Sequence, residues 1–146
     1  KLEHGVLFGP AMAEGVRVGA RFRATAGEQA KATFAVGLSG LSGYRLRVNP
    51  EQQQLELCRD TAVVQKVPFQ SVPGQWTHLH LQVRPLPGLK WAVQGKAWNE
   101  SQQEPEAWTL EWTDTAKPEL GQATVWGAPL DGEPIAVDDI RLWLID

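Results

Sequence analysis

Tryptophan is the residue type here best suited to recognition chemistry. Seven Trp stand against four Phe and one Tyr in 146 residues. Trp98, Trp108 and Trp126 each lie at the end of an apolar-patterned stretch, beside a polar one. A flat indole stacks on the apolar face of a sugar ring, whose CH groups meet the negative π-face. The plainer role is to fill a core or cap its rim, since each ring buries a large area. A second set is polar and strand-spaced. Arg21, Arg23, Arg45, Arg47, His78, His80, Gln82 and Arg84 all alternate with core-type positions. Were their strands neighbours in one sheet, they would form a shared surface of hydrogen-bond donors. Guanidinium forks and imidazoles suit hydroxyls and carboxylates, so such a surface would fit a uronic acid or another acidic glycan. The plainer reading is a solvated face where arginines pair with Glu51, Glu56 or Asp60, and such pairs contribute little.

Other chemistries have less to draw on. His78 and His80 are two apart on one strand and face the same way, but no third metal ligand accompanies them. Hydrolysis of a glycosidic bond needs two carboxylates facing each other across a cleft. Glu104, Glu106, Glu111 and Asp114 crowd one region without a spacing that marks a pair. No nucleophile elbow, phosphate-cradling Gly loop or metalloprotease helix is present. The single cysteine, Cys58, excludes an intrachain disulfide and a cysteine-rich zinc site, and reads as structural. No catalytic residue is expected.

The elements that must position these residues are strands. In Gly15–Ala24, Val16, Val18, Ala20 and Phe22 alternate with Arg17, Gly19, Arg21 and Arg23. A one-residue slip would bury three arginines, so the register is strongly specified. Lys31–Leu38 follows, with Phe34, Val36 and Leu38 inward. Tyr44, Leu46 and Val48 continue the pattern, Asn49-Pro50 breaks it, and Leu55 and Leu57 resume it. Ala62–Val67 is next. After the Val72-Pro73-Gly74 turn, Trp76–Val83 sets Thr77, Leu79, Leu81 and Val83 opposite Trp76, His78, His80 and Gln82. Lys90–Trp98 carries Trp91 and Val93 inward, with Gly95 read as a bulge. Ala107–Trp112 places Trp108, Leu110 and Trp112 on one face. Gly121–Trp126 and Ile135–Ile145 complete the set, the last with Ile140, Leu142 and Leu144 pointing one way. Residues 1–14 read as a loosely attached lead-in. About ten or eleven strands at this spacing suit a sandwich or barrel, and a meander must bury its apolar face against a second layer. No window has a helical period, and no internal repeat is visible.

The bulk properties narrow the partners. The length favours one domain, residues 1–146, able to bury roughly 68–70% of its unfolded surface. A net charge of −3 and a pI near 5.6 argue against nucleic acid or an anionic membrane, both of which demand a basic patch. No apolar run approaches the roughly 18 residues of a membrane helix. The chain starts at Lys1 without a signal peptide, as a processed or excised piece would.

The ordered set of pieces resembles the concanavalin A-like, laminin-G-like jelly rolls of exported bacterial proteins. Gly43-Tyr44-Arg45-Leu46 followed by Leu55-Glu56-Leu57 is one piece. Val72-Pro73-Gly74-Gln75-Trp76 leading into Leu79, Leu81 and Val83 is another. Gly95-Lys96-Ala97-Trp98 followed by Glu104-Pro105-Glu106-Ala107-Trp108 is a third, and Val137-Asp138-Asp139-Ile140 is the last. The resemblance spans Gly15 to Leu144. It implies an all-β, two-sheet antiparallel jelly-roll sandwich appended to a larger extracellular or periplasmic protein. Many such modules bind carbohydrate without catalysis; others serve structure or contact another protein domain, and some relatives act on disaccharides. The ligand-binding candidates are Arg21, Arg45, Arg47, His78, His80, Trp98, Trp108 and Trp126. No cofactor is expected, although such sandwiches often carry structural calcium at a sheet edge. That makes Asp138 and Asp139 its candidate donors, with Asp131 and Glu133 close in sequence and Glu14 approaching from the N-terminal side; the plainer reading is an aspartate accepting backbone N–H bonds in the preceding loop.

Overall fold

A computed structural model of the chain describes residues 3–24, 32–128 and 134–145. Among these are eleven strands and no helix. Six form one antiparallel sheet: β1 (His4–Met12), β3 (Thr33–Leu38), β4 (Tyr44–Asn49), β5 (Gln54–Arg59), β6 (Ala62–Pro68) and β10 (Gly121–Ala128). Their order is β1-β10-β3-β4-β5-β6. The other five are β2 (Val16–Ala24), β7 (Thr77–Leu86), β8 (Lys90–Asn99), β9 (Leu110–Asp114) and β11 (Ile135–Leu144), in the order β11-β2-β7-β8-β9. The turn at Val72-Pro73-Gly74 sits where its residues require, with Gly74 at φ 82° and the Gln75 N–H donating to the Val72 carbonyl at 3.1 Å.

Period-two burial makes the sandwich. Val18, Phe22, Val36, Leu46, Val48, Leu55, Leu57, Leu79, Leu81 and Val83 are sealed between the sheets. Phe22 of one sheet stacks on Phe34 of the other at 4.8 Å. Arg45 and Arg47 stand outside while Leu46 and Val48 face in, as the alternation of β4 demands.

Four local expectations are corrected. Gly95 is no bulge: it pairs in register with Leu81 and Leu110. A Cβ there would lie 2.7 Å from Leu46 Cδ1, so glycine at this position lets Leu46 of the opposite sheet come close. Strand β9 begins at Leu110, with Leu110 and Trp112 packed on the core. Trp108 precedes it and lies on the outer face, near Arg17 and Lys96. The lead-in is not loose along its length, since β1 pairs with β10 from His4 to Met12. Finally, β11 is not straight. Its register shifts between Asp138 and Arg141, where Asp139 adopts φ 53°, a left-handed conformation that aspartate tolerates. Leu142 and Leu144 therefore share the inward side, opposite Val18 and Val16, with Leu144 exposed at the strand end, while Ile140, within the shift, is exposed.

The contact between the layers is testable. Leu46→Ala is expected to cost about 2–5 kcal/mol and Gly95→Ala about 1–3 kcal/mol. In the Leu46→Ala background the added methyl has room, so Gly95→Ala should cost at least about 1 kcal/mol less there. Denaturant unfolding of the four proteins measures this coupling, and simple additivity would contradict the packing.

Candidate functional site

The bulge in β11 decides what the outer face of the five-stranded sheet presents. With uninterrupted alternation, Asp138 and Trp143 would lie on opposite faces. The extra residue puts both outward, Asp138 opposite Arg21 and Trp143 opposite Arg17. Rows then run across β11, β2, β7 and β8. One row reads Asp138, Arg21, His78, Trp98; the next Arg141, Gly19, His80, Lys96; the third Trp143, Arg17, Gln82, Gln94.

Gly19 lets two rings close over the middle of this array. A Cβ there would sit 2.7 Å from His80 Cδ2 and 2.9 Å from Trp143 Cζ3, so both rings lie over the bare backbone. The His80 ring is 5.0 Å from those of both Trp98 and Trp143. His78 stacks flat on Trp98 at 4.8 Å. Together with Ala20, Glu104, Asp139 and Arg141, these residues line a recess of about 240 Å³.

The loop from Glu100 to Thr109 walls one side. Lys96, only 5% exposed, donates from Nζ to the Pro105 carbonyl at 2.9 Å and pairs with Glu104 at 2.8 Å. The backbone N–H of Ala97 reaches Thr109 Oγ1 at 3.3 Å. A buried ammonium needs such partners, and satisfying it folds the loop over β8. Arg17 donates to Gln82, which donates to buried Gln94, and its guanidinium lies against the rings of Trp108 and Trp143.

Charges at the recess come in pairs. Arg21 holds Asp138 and lies near Glu100; His78 contacts Glu100; Lys96 holds Glu104; Arg141 holds Asp139 at 2.7 Å. The Lys96 hydrogen bond keeps Glu104 below the usual carboxylate range. Burial drops His80 to about 4, helped by Arg17, Lys96 and His78 and opposed by Glu104. Its Nδ1 is buried and has no hydrogen-bond partner among the described residues.

Of the residues expected to bind ligand, Arg21, His78, His80, Trp98 and Trp108 do share this face. Arg45, Arg47 and Trp126 do not. They lie on the outer face of the six-stranded sheet, because β4 and β10 belong to the other layer, so the single donor surface is in fact two. There Arg45 lies over the Trp126 ring at 3.9 Å and pairs with Glu3. Arg47 holds Glu56, which also accepts from Asn49 and Gln54. The space lined by Trp126, Arg47 and Glu3 is too tight to admit a water-sized guest. Trp98 is no free platform either: it is 7% exposed, its face covered by His78.

The acidic candidates are committed to partners. Asp114 accepts from Tyr44 at 2.5 Å, Arg59 at 2.6 Å and the Ala116 N–H at 2.9 Å, tying β4 and β5 to β9. Burial alone would raise its pKa, but these donors outweigh burial and lower it; burial and Asp114 push Tyr44 up. Asp138 and Asp139 hold arginines, and Glu14 accepts from Trp91 Nε1 rather than approaching them. Asp131 and Glu133 fall outside the described residues. Among the described residues no group of three or more His, Cys, Asp or Glu is arranged to hold a metal ion.

Sequence reasoning did not single out Trp143 and Arg141, nor place Glu104 beside the histidines, yet all three line the recess. The signal for Trp143 was the Asp138-Asp139 pair, where an aspartate able to adopt positive φ permits the face change.

No protein-family model and no curated protein matches the sequence. Solved structures do share the fold. Chicken galectin 2 superposes with a TM-score of 0.54 at 12% identity, over 94% of this chain and 96% of that one. Sheep galectin-11 in complex with glycerol gives 0.53 at 12%, over 97% and 96%. A single mutant of congerin II gives 0.53 at 11%, over 97% and 99%. The chain is thus an all-β, concanavalin A-like jelly roll of galectin-like build.

The histidine in the recess gives a pH signature. Its folded pKa lies below its ordinary value of 6.5, so between about pH 4 and 6.5 only the unfolded chain holds the proton. Stability should rise with pH through that window, by about 3 kcal/mol at most. Proton NMR should place the His80 ring titration near pH 4; a midpoint near 6.5 would contradict its burial.

Proposed function

We propose that the protein is a non-catalytic carbohydrate-binding module whose ligand sits in the recess lined by His78, His80, Trp98 and Trp143. The observation that carries this reading is the recess itself: aromatic walls from Trp143, His80 and Trp98, ringed by carboxylates and cations that hydrogen-bond hydroxyls. Sugars present that combination, with apolar ring faces and a polar circumference. The galectin-like build adds support, since galectins are carbohydrate-binding lectins. Glycosidic-bond cleavage fits less well. It needs a carboxylic acid kept protonated by its surroundings, whereas Lys96 holds Glu104 ionised. The laminin-G-like resemblance further suggests that the module works outside the cytoplasm, as part of a larger exported chain.

Glycan-array screening followed by titration of the tryptophan fluorescence tests the proposal. Trp143→Ala should weaken a detected affinity by about 1–3 kcal/mol, roughly five- to 150-fold. Trp126→Ala, on the other sheet, should leave it within threefold of the parent. Loss of binding in Trp126→Ala with retention in Trp143→Ala would move the site to the opposite face. No binding on a broad array would favour a protein-interaction or structural role.

A further inference from the structure

We infer that the recess selects an uncharged sugar ring and discriminates against uronates and sulfated or phosphorylated sugars. This rests on the carbohydrate reading above and goes beyond it by naming the ligand class. A strand-spaced array of arginines and histidines suggests an anion site, but the assembled face does not behave as one. Lys96, opposite His80 across β7 and β8, lies beneath its partner: its side chain is 7% exposed, against 47% for Glu104. Arg141, 61% exposed at the other border, is already paired with Asp139, 42% exposed. Arg21 is held by Asp138 and flanked by Glu100. An incoming carboxylate or sulfate would therefore meet Glu104 before Lys96, and at the other border an Arg141 already matched by Asp139.

Hydroxyls meet the same groups favourably. An ionised carboxylate only accepts hydrogen bonds, and a sugar hydroxyl donates one. Glu104 and Asp139 each keep a second oxygen beyond the one engaged by the cation. The neutral His80 ring, stripped of charge by burial, adds an uncharged wall between Trp98 and Trp143. Size limits the occupant further. About 240 Å³ falls below the roughly 300–1,000 Å³ of pockets for drug-sized ligands, so one ring fits rather than an enclosed chain.

Matched ligand pairs test the inference on the intact chain. The probes are the methyl glycosides of glucose, galactose and mannose, each beside the uronate made by oxidising its C6. Tryptophan fluorescence and calorimetric titration read the affinities. At least one neutral glycoside should bind, and its uronate should bind about tenfold or more weakly. Glu104→Gln leaves Lys96 without its carboxylate, so the gap should narrow at least about threefold, and added salt should narrow it in the parent protein. A uronate that binds as tightly as its neutral partner overturns the charge selection while leaving the carbohydrate reading intact. An unchanged gap in Glu104→Gln overturns the part assigned to that carboxylate. If none of the glycosides or uronates binds, the carbohydrate reading itself fails and takes this inference with it.

Discussion

Alternation along the strands is the constraint on which this molecule depends. Each internal strand gives every second side chain to the layer between the sheets, and that layer is dry and close-packed. Leu46, Leu57, Leu79 and Leu81 are fully sealed within it. Interiors of this kind tolerate little change in volume, and shortening one such leucine typically costs about 2–5 kcal/mol. Gly95 shows how tight the fit is, since the opposing sheet leaves no space there for a methyl group. With the inner faces spent on packing, recognition is left to the outer faces, the rims and the strand edges.

The two outer faces carry similar residue types and reach different ends. On the six-stranded sheet, Arg45 covers Trp126 and the surrounding polar groups close on one another, leaving no room for a water-sized guest. On the five-stranded sheet, a missing side chain and an extra residue work together. Gly19 removes bulk from the middle of the array, and the bulge at Asp139 brings Trp143 to its border. The buried ammonium of Lys96 then draws the Glu100–Thr109 loop across as a wall. The recess is thus a product of one missing side chain, one bulge and the cost of leaving a charge unsatisfied.

Much of the fold was legible in the chain because period two is a strong signal. The inward set of β2, β3, β4 and β7 follows directly from the spacing of Val16 to Phe22, Phe34 to Leu38, Tyr44 to Val48 and Thr77 to Val83. Which sheet each strand joins was not legible, because alternation names a buried face and says nothing of neighbours. That is why Arg45 and Arg47 were grouped with His78 and His80. Gly95 and Asp139 exchanged expectations for a related reason. A glycine in a strand marks either a bulge or a close approach, and only the opposing Leu46 decides which. The Asp138-Asp139 pair suggested oxygen donors for a cation, whereas its structural effect is a positive φ that turns the strand. Trp108 was misplaced because the polar loop before β9 extends further than its hydropathy suggests.

A heteronuclear NMR titration with a binding glycan reads the central claim most directly, because the indole N–H groups report each tryptophan separately. Ligand in the recess predicts shifts at Trp98 and Trp143, with the His80 ring and the β2 backbone around Gly19 moving alongside, while Trp126 and the β4 backbone stay still. Shifts centred on Trp126, Arg45 and Arg47, with Trp143 unmoved, would contradict the account.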